Sequence, residues 1–210
     1  MKKEDYLPAG AKHRQVNYSR GIGSTNPPFS FPNIDPAERV AIFIDGSNLY
    51  HGLKNASRPT QIDFGKLCNF LCNGRRLTRI YYYNAPIKAQ ADLSRYKQQQ
   101  SFFEQIKKVP YLELKLGRLE IRKGVPVEKG VDVLLVVDMI RYARNNAYDT
   151  AILVSGDGDF APALEVLKEY GKHIENAYFK SGRSYHLANH SDRFIDLDEL
   201  PWDQIALKKE

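Results

Sequence analysis

The sequence predicts an α/β fold, a three-layer α/β/α sandwich around a mostly parallel central sheet. Three observations carry that reading. Apolar runs such as residues 40–44 and 151–154 lack polar alternation, as expected of strands buried on both faces. Those runs alternate with longer stretches of helical periodicity. Two of the runs lead into aspartate and glycine turns, Asp45-Gly46 and Gly156-Asp157-Gly158-Asp159, at strand ends, where an open parallel sheet gathers its ligands.

Residues 1–37 hold Pro8, Gly10, Gly21, Gly23, Pro27, Pro28, Pro32 and Pro36 with little periodicity, and read as an extended or mobile arm. Its Tyr18, Phe29 and Phe31 suit packing on the domain or on a partner. The domain spans 38–200 and opens with a buried strand at 39–44. Residues 62–71 place Phe64, Leu67, Phe70 and Leu71 at helical spacing. A second strand at 79–84 closes at Ala85-Pro86, and a long amphipathic helix at 90–109 turns Leu93, Tyr96, Phe103 and Ile106 inward. Residues 112–116 and 119–122 alternate with period two around Gly117-Arg118, which predicts a hairpin or a bent antiparallel excursion. A helix then runs from about Gly130 to Asn145 through Leu134, Leu135, Met139 and Ile140. Residues 151–154 form a third buried strand, 160–170 a helix stopped by Gly171, and 173–179 and 194–197 further short strands. Residues 201–210 read as a polar tail.

The chain has 210 residues, 42% hydrophobic and 27% charged, a composition that supports a packed core and excludes wholesale disorder. No apolar run approaches the ~18 residues of a membrane span, and MKKEDYLPAG lacks the apolar stretch of a secretory signal. Two cysteines exclude a disulfide framework and a four-thiolate zinc site. The expectation is a cytoplasmic protein, with a homo-oligomer left open. Net charge is +6, but twelve basic residues face four acidic ones between Leu71 and Val125, a balance of +8 that leaves −2 for the rest. A basic middle suits a polyanionic partner, and equally a solvated lysine-rich surface.

Asp45 closes the first strand, and Asp157 with Asp159 follows the third; the fold reading brings them together across more than a hundred positions. Asp132, in the first turn of the helix before the third strand, joins them. Carboxylates within ~4 Å of one another repel by roughly 4 kcal/mol per pair at an effective dielectric near 20, so such a cluster needs protons or cations. Oxygen donors without histidine or cysteine favour magnesium or manganese over zinc. A cation so held activates water and steadies an in-line phosphoryl displacement, which beside a basic segment points to phosphodiester hydrolysis. Taken singly, Asp45 and Asp159 also suit helix capping, and Asp132 a helix N-terminus.

At these residues the sequence resembles the NYN domain family, LabA-like branch, within the PIN-like nuclease group. The matching stretches are VAIFIDGSNLYHGL (40–53), EKGVDVLLVVDMIRYARNNAYDTAILVSGDGDFAPALEVLKEYGK (128–172) and LANHSDRFIDLDEL (187–200). The resemblance implies a PIN-like sandwich and Mg2+- or Mn2+-dependent ribonuclease chemistry on single-stranded or structured RNA. It places Asp45, Asp132, Asp157 and Asp159 at the acidic metal-binding positions and Asn48 as an orienter of ligand, water or phosphate, with Ser155 in support. Asp138 also falls in the pattern, yet six residues after Asp132 it lies about 240° around the helix, and it suits pairing with Arg141 or Tyr142 as well. Glu104 is a glutamate candidate on the basic helix that no motif fixes. Relatives without clear nuclease activity leave a second class in view, a non-catalytic RNA-binding or regulatory module.

Lys129, Arg75, Arg76, Arg95 and Lys97 are candidate phosphate contacts, each also readable as plain surface. Cys68 and Cys72, at i and i+4, read as a reduced core pair rather than a metal half-site. Tyr81–Tyr83 offers either base stacking or packing, alternation favouring packing. His51, His173, His186 and His190 show no ligand spacing. GDGDFAPAL faintly resembles the late acidic motif of haloacid-dehalogenase-type phosphatases, but Ser47 stands where their second aspartate would be.

Overall fold

The computed structural model describes residues 35–87, 89–90, 92–122 and 125–207, with the backbone alone for 118–122 and 125–129. The arm therefore lies outside the described residues apart from 35–37, as does the Lys208-Lys209-Glu210 end. In chain order the elements are β1 (Arg39–Asp45), α1 (Gly46–Asn55), α2 (Phe64–Cys72), β2 (Arg76–Asn84), α3 (Leu93–Ile106), β3 (Leu112–Leu116), β4 (Arg118–Arg122), β5 (Val125–Lys129), α4 (Val131–Arg144), β6 (Thr150–Val154), α5 (Ala161–Glu169), β7 (His173–Tyr178), α6 (Tyr185–His190), β8 (Arg193–Asp196) and α7 (Trp202–Ile205). A 3-10 turn at Gly158–Phe160 links β6 to α5.

Six strands form an all-parallel sheet in the order β3-β2-β1-β6-β7-β8. Alternate residues of β1 feed opposite cores, the reason its run is continuously apolar. Val40, Ile42 and Ile44 pack with Leu49, Leu67, Phe103 and Trp202 on the face covered by α1, α2, α3 and α7. Ala41 and Phe43 pack with Leu135, Met139 and Leu164 on the face covered by α4 and α5. Burying each of the larger aliphatic and aromatic side chains among these stabilises the fold by about 1.5–3 kcal/mol. This is the expected three-layer α/β sandwich. Among the described residues, no helix is long and apolar enough to cross a membrane.

Three local expectations are corrected. β3 makes no hairpin with β4; it joins the sheet edge parallel to β2, with Ile80 opposite Leu112, and β4 pairs antiparallel with β5 instead. Pro126 inside β5 masks that strand in the sequence, since proline removes a ladder donor. Leu93 is exposed, because α3 begins there, and Phe102 turns inward in its place, edge-on to Phe64 and Tyr82. The stretch from residue 201 is not simply a polar tail. Trp202 and Ile205 are buried among the core residues, the Trp202 indole N–H donates to the Leu197 carbonyl at 2.7 Å, and Ala206 bridges to Ile62. Two apolar residues among polar neighbours leave too faint a period to read.

Candidate active site

After β1 the chain builds outward through β2 and β3, then returns to lay β6, β7 and β8 on the other side of β1. The direction of winding thus reverses between β1 and β6, and loops leaving adjacent strands there diverge into a crevice. Asp45 ends β1, and Ser155-Gly156-Asp157 follows β6, whose Val154 pairs with Ile44. Both segments therefore leave the sheet side by side.

Asp45 is buried and caps α1; its Oδ1 accepts the Asn48 N–H at 3.0 Å and its Oδ2 accepts the Ser155 hydroxyl at 3.3 Å. Ser155 Oγ in turn accepts the Asp157 N–H at 3.1 Å, so one hydroxyl spans both aspartate loops. The Asn48 side-chain carbonyl accepts the Gly156 N–H at 2.9 Å, and the Tyr178 hydroxyl donates to the Asn48 backbone carbonyl at 3.0 Å. Asn48 is thereby a clamp between α1 and the β6 loop, a role beyond the orienter the resemblance implies. Gly156 is required by space: a methyl there would collide with the Tyr178 ring and the Gly182 carbonyl. Asp157 caps the 3-10 turn by accepting the Asp159 N–H at 3.0 Å, so the capping reading attached to Asp159 belongs to Asp157. Asp159 is exposed.

Asp45, Ser47, Asn48, His51, Asp132 and Asp157 line one cleft of about 340 Å3. Burial, with smaller contributions from Asp132 and Asp157, pushes the Asp45 carboxyl up to about 6. Partial burial, then Asp157 and Asp159, raises Asp132 as well. Mutually raised carboxyls are the signature of a site that favours a neutralising proton or cation. Among the described residues, no three His, Cys, Asp or Glu side chains stand within joint coordinating reach of one point. The donor set nonetheless fits a hard cation: all are oxygens, and magnesium is commonly held by one or two carboxylates with waters completing the octahedron.

The remaining expected residues fall elsewhere. Asp138 is buried under Tyr83, whose hydroxyl donates to it at 3.2 Å, with Arg141 at 2.7 Å and Lys115 at 3.7 Å. Both its oxygens are engaged by the protein, outside the cleft lining. Arg75 is buried in a two-pronged pair with Glu175, at 2.9 and 2.8 Å. It belongs to a polar network with Glu38 and Thr150 at the start of the strands. Arg76 pairs with Arg39, six residues before Asp45, which places it about 20 Å from the acidic end. Neither arginine comes to the cleft. Glu104 is exposed and pairs with Lys107. Arg95 and Lys97 are exposed on α3, and the Lys129 side chain lies outside the described residues. Tyr81, Tyr82 and Tyr83 are all buried, so they pack rather than offer a platform. His51, which shows no ligand spacing in the sequence, lines the cleft, as does Ser47. It stands four residues after Ser47 and three after Asn48, on one face of α1.

The NYN domain family model matches residues 39–198. The chain belongs to the NYN domain family. NYN domains are a PIN-like nuclease family, typically ribonucleases that use divalent metals. Among curated proteins, low amplitude and bright protein LabA of Synechococcus elongatus is 27% identical over 173 residues, 77% of this chain and 85% of LabA. The uncharacterised protein y4oD of Sinorhizobium fredii is 37% identical over 63 residues, 30% of this chain and 28% of y4oD. Among solved structures, a protein of unknown function from Vibrio parahaemolyticus superposes with a TM-score of 0.63 at 24% identity, covering 79% of this chain and 96% of that one. That likeness concerns the fold.

Proposed function

We propose that this NYN domain is a metal-dependent ribonuclease that hydrolyses RNA phosphodiester bonds, with Asp45, Asp132 and Asp157 as cation-binding side chains and Asp159 as an outer carboxylate. The observation that carries the reading is the convergence of Asp45, Asp132 and Asp157 on one cleft at the point where the sheet reverses its winding. Bound Mg2+ or Mn2+ supplies Lewis acidity and an activated water. The chain's own part is positional. Ser155 and Asn48 hold the Asp45 and Asp157 loops in register, so the two carboxylates cannot drift apart with their strands. The Asp45 carboxyl, raised to about 6, is largely ionised above neutral pH and then offers full negative charge to a cation. Ser47 and His51 complete the lining beside the carboxylates.

A second reading, an RNA-binding module without turnover, draws on the spacing of the carboxylates, no three of which share one point as they stand. Incubation of labelled single-stranded RNA with the protein and manganese separates the two. Metal-stimulated cleavage that falls roughly 100-fold or more in Asp45→Asn and Asp157→Asn supports the nuclease. Equal cleavage by the variants defeats the site assignment. Salt-dependent binding with no cleavage supports the binding module.

A further inference from the structure

A second, larger groove adjoins the acidic cleft. Ser47 and His51 line the cleft and also line a groove of about 530 Å3 beside it. Helix α1 is the shared wall: Ser47, Tyr50, His51 and Lys54 fall at i, i+3, i+4 and i+7, one face of the helix, and all four border the groove. Helix α3 supplies the opposite wall with Arg95, Gln98 and Phe102.

The chemistry of this groove is not that of a core. Tyr50 is 44% exposed, and its ring stands edge-on to His51 with centroids 5.7 Å apart. The Lys54 ammonium lies 4.9 Å from the centre of the same ring. Arg95 is exposed, and its only loose partner among the described residues is Asp92 at 3.6 Å, an exposed pair that holds it weakly. An exposed aromatic ring with one cation beside it and a second on the facing wall, next to a carboxylate cleft, is the equipment that single-stranded nucleic acid uses: stacking for a base and positive charge for the neighbouring phosphates.

We propose that this groove is the track along which a single strand of RNA reaches the acidic cleft, one base stacking on Tyr50 and the adjoining phosphates meeting Lys54 and Arg95. The inference rests on the RNA-cleaving reading of the cleft and adds the form of the substrate. A base can lie on Tyr50 only when it is free of its own helix, so unpaired RNA is accepted and a continuous duplex is not.

The test is fluorescence anisotropy of a labelled twelve-nucleotide single-stranded RNA, and of its blunt duplex, with the full chain in EDTA so that no cleavage intrudes. Single-stranded RNA should bind several-fold tighter than the duplex. Tyr50→Ala should weaken binding roughly tenfold while Tyr50→Phe, which keeps the ring, retains it. Lys54→Gln and Arg95→Gln should each weaken binding and each lower the slope of log affinity against log salt by about 0.7. Arg76→Gln, at the far end of the strands, should change nothing. Wild-type affinity in Tyr50→Ala, an equal loss in Arg76→Gln, a preference for duplex, or no binding at all would overturn the proposal. Manganese-dependent cleavage is scored separately: groove variants that lose binding in a protein that never cleaves would sink the nuclease reading and leave the track standing, and the reverse pattern would do the opposite.

Discussion

The side-chain carbonyl of Asn48 accepts a 2.9 Å hydrogen bond from the backbone N–H of Gly156, 108 residues further along the chain. This contact ties the helix that Asp45 caps to the loop that carries Asp157. Asn48→Ala leaves that N–H without its partner, at a cost of about 1–3 kcal/mol, and frees the two loops to separate. Urea unfolding should register the loss. Calorimetric titration should show manganese affinity falling by more than the lost stability explains through unfolding. Unchanged affinity would mean that the clamp is structural only.

The Asp45 carboxyl gives a pH signature. Its folded-state value of about 6 lies above its ordinary 3.8, so folding takes up a proton between those values. The associated stability is fully present below the ordinary value and is lost as pH rises through about 6. A shift of about two units corresponds to about 3 kcal/mol at most. Without divalent cations, wild type should therefore lose this stability as pH rises from about 4 through about 6, and Asp45→Asn should lose clearly less. Parallel profiles for the two proteins would show that Asp45 is not held in a site that resists its charge.

Arg75 and Arg76 are neighbours with opposite expectations. Arg75→Met leaves Glu175 buried without its main counter-charge and should destabilise the protein by about 3–5 kcal/mol. Arg76→Gln alters an exposed strand end and should stay within about 0.5 kcal/mol. Denaturant midpoints decide, and equal effects would contradict the placement of the pair.

Much of this was legible in the sequence for definite physical reasons. Continuous apolar runs such as 40–44 mark doubly buried strands, and the glycines beside Asp45 and Asp157 mark strand ends where carboxylates converge. What escaped was decided by partners distant in sequence. Arg75 looks like a surface cation until β7 brings Glu175 against it, and β3 looks like half of a hairpin until α3 carries it back beside β2. His51 gave no ligand spacing in sequence terms because its neighbours in the cleft, Asp132 and Asp157, arrive from other elements.

The central claim is that the cleft lined by Asp45, Asp132 and Asp157 holds a divalent cation. Crystals grown with manganese, measured at a wavelength where manganese scatters anomalously, address it directly. The account predicts an anomalous peak in the cleft, in contact with at least one of Asp45, Asp132 and Asp157 and absent from Asp157→Asn crystals. A cleft without that peak, or a peak that persists unchanged in the variant, would contradict it.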